Sequence, residues 1–221
     1  MLFNYIVLSF KCFKFWFLLK MFDIAIEILV ICVSLFTIIC SLMLYILSKQ
    51  RHDSSFLLML DEALENNDVT SCILLLKKYP YLANNSFKDG YTPFLRACLF
   101  GNTQVVKYML DFCKVDIRKC TSNKESAFYL AVYERIKNKS SRDASCIHTL
   151  YHANADINAA TVHGYSPIQL AAMFGHTSLV RWLLTKNVNM NVFPSPYILA
   201  KSQGHHDTAM VLKNANLKAI E

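Results

Sequence analysis

The apolar positions of this chain follow two patterns. The first 48 residues are almost continuously apolar, whereas the remaining chain mixes short apolar runs with polar residues. In that second part, leucine and valine recur at spacings of three and four, as they do on the buried stripe of an amphipathic helix. The pattern predicts an all-α fold in which a hydrophobic segment precedes a series of short amphipathic helices.

Residues 24–47 form the longest apolar stretch, with Glu27 as the single charge among 24 residues. A helix of that length covers about 36 Å, which exceeds the roughly 30 Å of a bilayer's hydrocarbon core. No polar face remains that could meet water, as the surface helix of a soluble domain requires. Residues 24–48 are therefore predicted to be a transmembrane helix, followed by a juxtamembrane linker at residues 49–55.

Residues 1–23 are also apolar but carry Lys11, Lys14 and Lys20 between large aromatic residues. This mixture suits a helix lying in the membrane interface. A second span and an upstream extension, with the working chain starting at Met21, remain open alternatives.

The sequence gives two opposing indications of orientation. Counting the lysines and arginines on either side of the span slightly favours an amino terminus in the cytoplasm. The eight cysteines form no CxxC pair and no disulfide-type spacing, which indicates free thiols in a reducing compartment. We therefore expect a single-pass membrane protein with its polar body in the cytosol.

The polar body contains an internal repeat. Residues 89–106 and 163–180 share Gly-Tyr-(Thr/Ser)-Pro, then Ala, Phe-Gly and Val in the same register. Thr92 and Ser166 lie 74 residues apart, which is two periods of 33 with eight residues of insertion. The insertion falls in a polar run at residues 135–142, as expected of an enlarged surface loop.

These motifs resemble the ankyrin repeat family, whose units carry a Gly-x-Thr-Pro turn, a first helix ending at Gly-His, and a second, leucine-rich helix. The resemblance covers residues 56–215 and implies a solenoid of helix-turn-helix units with short β-hairpin or turn fingers. Five units are expected, the outer two atypical as caps. The five units are expected at residues 56–87, 88–121, 122–160, 161–192 and 193–215. The third contains the inserted loop, the fifth is shortened, and a tail follows at residues 216–221. The middle unit has Lys124 in place of the turn glycine and should be the least stable.

The chain carries no recognisable catalytic or metal-binding motif. His148 and His152 share a helix face, but the glutamate of a zinc-protease helix is missing between them. From His52 onward, 18 basic and 14 acidic residues are scattered without a stripe that could follow a phosphate backbone. We expect no enzyme, cofactor or metal, no nucleic-acid partner and no small-molecule substrate.

The resemblance implies that a protein partner binds the concave face built by the fingers and first helices. Aromatic residues and methionine are enriched at the centres of such interfaces. The candidates are Tyr91, Arg96, Leu99, Phe100, Tyr133, Tyr165, Met173 and Phe174, with Arg96 and Lys88 at the rim. The tyrosines are expected to be exposed, whereas core packing is an equal alternative for Phe100 and Phe174.

The sequence therefore predicts a membrane-tethered ankyrin-repeat module that recruits or scaffolds a partner protein at a membrane surface, with the lipid bilayer contacted through residues 24–47. The alternative is an accessory subunit of an integral membrane assembly, in which the apolar segment is the working part. In that case Glu27 becomes the residue of interest, because ionisable groups inside spans are commonly functional.

Overall fold

The computed structural model describes residues 2–87, 89–138, 144–186 and 188–218, with side chains from residue 31 to residue 215 within these ranges. The chain divides into two compact units, Met1–Ser54 and Ser55–Glu221. The described residues form helices and turns without strands, which confirms the predicted all-α class.

Helix α1 (Leu2–Glu65) accounts for the first unit and supplies the first helix of the second. Residues 49–55, predicted as a linker, are helical. From Ile31 to Gln50 every side chain except the half-buried Cys40 is exposed. Within the described residues, this is the one helix long and apolar enough to cross a membrane, by length and composition alone. A signal sequence has the same two properties.

Hydroxyl groups inside this apolar stretch are satisfied by the helix itself. Ser34 donates to the carbonyl of Ile31, and Thr37 donates to the carbonyl of Ser34, each at 2.8 Å. Such local bonds pair the hydroxyl hydrogens of Ser34 and Thr37 without water, as an apolar environment requires.

The second unit is built from five pairs of antiparallel helices. The end of α1 pairs with α2 (Val69–Lys78), which a short 3₁₀ turn at Pro80–Asn84 follows. The other pairs are α3 (Pro93–Leu99) with α4 (Thr103–Phe112), α5 (Ala127–Lys137) with α6 (Ser145–His152), α7 (Pro167–Met173) with α8 (Thr177–Leu184), and α9 (Pro196–Ser202) with α10 (His206–Lys218).

The first helices start where the repeat motif predicts. The hydroxyl of Thr92 accepts the N–H of Leu95 at 3.2 Å, and Pro93 takes the first helical position, where no N–H is needed. In the middle unit, Ser126 caps α5 through the N–H of Tyr129 at 3.2 Å, without a proline. One hydroxyl is therefore enough to set the helix start.

The pairs stack through their first helices, with α3 on α5, α5 on α7 and α7 on α9. An alanine occupies the same buried position in each of these helices, and small side chains let the backbones approach closely. The four are Ala97, Ala131, Ala171 and Ala200. Their burial shows that neighbouring repeats bury part of the core between their first helices.

The fingers between units are turns. In the described part of the chain, the β-type pairing of these fingers is limited to one isolated antiparallel bridge, between Cys120 and Ser126. Gly90 and Gly164 adopt φ angles of 83° and 78°, in the left-handed region. Lys124 takes the equivalent position in the middle finger with φ of 58°, a conformation that costs an L-residue free energy.

Two boundaries differ from the sequence-based expectation. Helix α5 has 11 residues against seven in α3 and α7, so the insertion begins by lengthening this helix. Ile136, inside the expected loop, is buried, which explains why the helix continues; residues 139–143 lie outside the described ranges. Helix α10 also continues to Lys218, into the expected tail.

Candidate protein-binding surface

The eight residues predicted to contact a partner lie in the fingers and on or beside the first helices of the three central units. Tyr133 and Phe174 are exposed, with 39% and 50% of their surface open to solvent. The other six are half-buried. Those that pack against the core are Tyr91, Leu99, Phe100 and Met173. Lys88 lies outside the described residues.

Tyr91 is anchored by a hydrogen bond. Its hydroxyl donates to Oε2 of Glu125 at 3.1 Å, and the hydroxyl of Thr121 donates to the same oxygen at 2.9 Å. Burial, and secondly the nearby Glu125 carboxylate, raise the pKa of Tyr91 to about 12. The tyrosine therefore stays neutral, and its hydrogen bond to Glu125 holds the side chain in place.

Tyr129 belongs to the same surface, although it was not among the sequence candidates. Burial raises the pKa of its hydroxyl, and the charges of Glu125, Tyr133 and Tyr165 add to the effect. It lies four residues before Tyr133 on α5, the spacing of neighbours on one helix face. That spacing was the signal available in the sequence.

We call the group formed by Tyr91, Glu125, Tyr129, Tyr133 and Tyr165 the tyrosine surface. Tyr91, Glu125 and Tyr165 each stand directly before the N-cap residue of a first helix, so they occupy one position on three successive fingers. Aromatic rings around a carboxylate offer apolar contact area, hydrogen-bond acceptors and faces that attract cations. This chemistry suits protein side chains.

Arg96 supports the tyrosine surface from beside it. Its guanidinium contacts Asp89 at 2.6 Å and Asp61 at 3.4 Å, and is 5.3 Å from the ring centre of Tyr91. On its other side lies the ring of Phe87, at 4.9 Å. The sequence places Arg96 at the rim, but this side chain is 23% exposed and already joins α1, the finger and α3.

The charges of the cluster formed by Arg96, Asp61 and Asp89 do not fully compensate one another. Burial raises the pKa of Asp61 despite the opposing charge of Arg96, and Asp89 and Glu65 raise it further. One oxygen of Asp61 and Nε of Arg96 are buried without a hydrogen-bond partner. The ion pairs of Arg96 therefore leave these two polar atoms without a partner, and the rings of Phe87 and Tyr91 supply further contacts to the guanidinium.

A second aromatic group surrounds Trp182 on α8. Its ring lies 5.5 Å from Tyr151 and 4.8 Å from His148. The ammonium of Lys186 sits above both Tyr151 and Trp182, at 4.9 and 5.6 Å. His148, the first of the two histidines at helical spacing, therefore packs against an indole in a tilted arrangement. No grouping of histidine, cysteine, aspartate and glutamate among the described residues could hold a metal ion.

A stack of short antiparallel helix pairs with turn fingers, and with its core between the pairs, defines a repeat solenoid of the kind that binds proteins. Two family models agree: one for three ankyrin repeats matches residues 60–160, and one for many ankyrin repeats matches residues 139–184. The two models together cover residues 60–184, and this part of the chain consists of ankyrin repeats, which are generally non-enzymatic modules for protein–protein interaction. No individual curated protein matches the chain.

Proposed function

We propose that this protein is a membrane-tethered ankyrin module that recruits a partner protein to a membrane surface. The observation that carries the proposal is an apolar helical stretch whose exposed side chains from Ile31 to Leu47 precede a protein-interaction module in one chain. Large aliphatic side chains left in water cost free energy in proportion to their exposed area, whereas a bilayer removes that cost.

Tethering supplies the functional advantage. A partner that meets a membrane-bound binding site is confined to a thin layer, and its effective concentration there rises without any new contact. A repeat stack with a modest intrinsic affinity is then sufficient for recruitment.

The cytosol is the compartment we propose for the repeats. Four buried cysteines in the stack are free thiols: Cys72, Cys98, Cys113 and Cys146. Burial raises the pKa of the Cys98 thiol, and its hydrogen bond with Cys146 adds to this. Neutral buried thiols pack as small hydrophobes and persist in a reducing compartment.

The tyrosine surface and Phe174 together are the proposed contact for the partner. Tyr133 and Phe174 are the exposed residues of this contact, and aromatic side chains are enriched at the centres of interfaces. Tyr91 and Arg96 keep the surface rigid, which lowers the ordering cost of binding.

The membrane topology of the full chain is the experimental test of the proposed membrane anchor. The chain carries its own reporter, since Asn138-Lys139-Ser140 is a glycosylation sequon and Asn138 is exposed at the end of α5. Translated with microsomes, the full chain should remain in the membrane after alkaline extraction, receive no glycan, and lose its repeats to added protease. An Asn138→Gln variant controls for glycosylation elsewhere.

Two outcomes would contradict the proposal. A soluble product shortened at its amino terminus would identify residues 1–48 as a signal sequence. A glycosylated, protease-protected chain would place the repeats in the lumen, where Cys98 and Cys146 would become candidates for a disulfide bond.

Recruitment is tested by comparing partners across variants of the full membrane-bound chain. Tyr133→Ala combined with Phe174→Ala should reduce proximity labelling of the partner at least tenfold, since interface anchors cost more than about 1.4 kcal/mol on truncation. Phe193→Ala removes a side chain that is 93% exposed in another unit, and should leave labelling unchanged. Equal labelling by all three proteins would exclude the tyrosine surface.

A further inference from the structure

A small cavity of about 200 Å³ lies where the end of α5, the start of α6 and the start of α8 meet. Ile147 and the indole of Trp182 line one part of it. Arg135, His148, His176 and Ser178 supply its polar lining. None of these residues belongs to the tyrosine surface, so the cavity is a separate feature of the stack.

The polar lining of this cavity has one sign of charge. The described residues that line it include no aspartate or glutamate. The ion pairs within the described part of the chain all involve Arg96, so Arg135 has no acidic partner there. Arg135 and His176 both line the cavity. Burial, and secondly the charge of Arg135, lower the pKa of His176. A basic lining to which the described residues contribute no carboxylate favours an anion in the cavity.

The backbone amides at the start of helix α8 also favour an anion in this cavity. Helix α8 starts at Thr177, with His176 at the position before it, and no side chain caps its first amide groups. The Ser178 hydroxyl lies 3.4 Å from Nδ1 of His176 and can turn toward the cavity. First-turn amides carry partial positive charge, and the adjacent indole wall lowers the local dielectric, which strengthens their attraction for an anion.

We propose that this cavity binds a phosphoryl group. A guanidinium presents paired donors that match two oxygens of a phosphate, whereas a spherical ion such as chloride cannot use that geometry. His148 and His176 each offer an imidazole nitrogen, and Ser178 offers a hydroxyl. The phosphoryl group is either free inorganic phosphate or part of a phosphorylated side chain, since both present the same oxygens.

The test uses the full chain in a maltoside detergent, which brings no phosphate of its own. Inorganic phosphate and O-phosphoserine are titrated by calorimetry at pH 6.5, with chloride holding the ionic strength constant. Saturable binding of at least one of the two is expected, and the tighter of the two identifies the natural source. Arg135→Gln should weaken binding about tenfold or more, as expected for the loss of a charged hydrogen bond.

Arg181→Gln is the matched control, because Arg181 is exposed on α8 and does not line the cavity. It should bind phosphate like the unmodified chain. If Arg135→Gln disturbs folding, His148→Gln removes a lining side chain that is itself exposed, and should also weaken binding. Absence of saturable binding, or equal loss in the Arg135 and Arg181 variants, would overturn the proposal.

Discussion

The hydroxyl of Tyr91 donates a hydrogen bond of 3.1 Å to Oε2 of Glu125, 34 residues further along the chain. The two residues occupy the same position on successive fingers, so one bond joins two repeats. The middle finger has glutamate where its neighbours have tyrosine. Its departure from the repeat pattern therefore creates an acceptor for the preceding unit.

Replacing Tyr91 with phenylalanine removes only this hydroxyl. We expect Tyr91→Phe to lower the free energy of unfolding by about 1–2 kcal/mol, because the half-buried Glu125 carboxylate loses a donor. Urea denaturation of the purified chain measures the change. Tyr133→Phe serves as the control, because Tyr133 is exposed and its hydroxyl makes no hydrogen bond within the described residues. An equal effect of both substitutions would refute this role for Tyr91.

The periodicity of the sequence predicts the helix pairs of the fold, but it does not predict the hydrogen bond between Tyr91 and Glu125. The buried alanines and the leucine spacing recur from unit to unit, and the Gly-Tyr-(Thr/Ser)-Pro turn recurs in units 88–121 and 161–192. Local pattern therefore specifies helix pairs and their stacking. Side-chain bonds between units depend on which residues meet across 30 or more positions. Arg96 illustrates the limit: its charge suggested a rim, whereas its position between Asp61, Asp89 and two rings fixes it in place.

Lys124 gives the middle finger a backbone cost that its neighbours avoid. Its φ of 58° is the conformation for which Gly90 and Gly164 are suited. Lys124→Gly should raise the free energy of unfolding by about 1 kcal/mol, because glycine relieves the left-handed strain. Thermal or urea unfolding measures this gain. Lys124→Ala removes the same side chain but keeps the strain, and should change stability little.

The reciprocal substitution separates strain from steric effects. A Cβ at Gly164 would meet nothing within 4 Å, so Gly164→Ala introduces backbone strain alone and should cost about 1 kcal/mol. At Gly90 a Cβ would collide with Ser122, so that position is unsuitable for the comparison. If Lys124→Gly is neutral while Gly164→Ala is destabilising, the strain assigned to Lys124 is wrong.

Gln169 ties the fourth unit to the fifth. It is fully buried, its Oε1 accepts the N–H of Ser166 at 2.7 Å, and its Nε2 donates to the carbonyl of Pro194 at 2.7 Å. Gln169→Leu keeps the approximate volume but leaves both backbone groups unsatisfied. We expect a loss of about 2–4 kcal/mol in unfolding free energy, since each stranded buried group costs roughly 1–3 kcal/mol.

Gln104→Leu provides the comparison for Gln169, because Gln104 is exposed on α4. Its effect should stay within about 0.5 kcal/mol, as for ordinary surface substitutions. Hydrogen exchange adds a spatial readout: Gln169→Leu should speed exchange in α9 and α10 more than in α3 and α4. Uniform exchange across the stack would show that Gln169 does not act at this junction.

His176 makes stability depend on pH below neutrality. Burial and the facing charge of Arg135 lower its pKa from the ordinary value of 6.5, while a backbone hydrogen bond partly opposes them. As pH falls through 6.5, the unfolded chain binds a proton at this residue before the folded chain does. The stabilisation is therefore complete above pH 6.5 and is lost as pH falls toward the depressed folded value.

Urea denaturation between pH 8 and pH 5 tests this linkage. Below pH 6.5 the unmodified chain should lose stability more steeply than His176→Gln, and Arg135→Gln should fall between them because it removes only the smaller cause. His163→Gln, at an exposed finger position, should follow the unmodified chain.

The same pH series with added phosphate connects the pH dependence of stability with the cavity. An anion held beside His176 favours the protonated form of this residue. Saturating phosphate should therefore reduce the pH dependence of stability in the unmodified chain and leave that of His176→Gln unchanged. A slope that phosphate changes equally in both proteins would mean that the ion acts elsewhere.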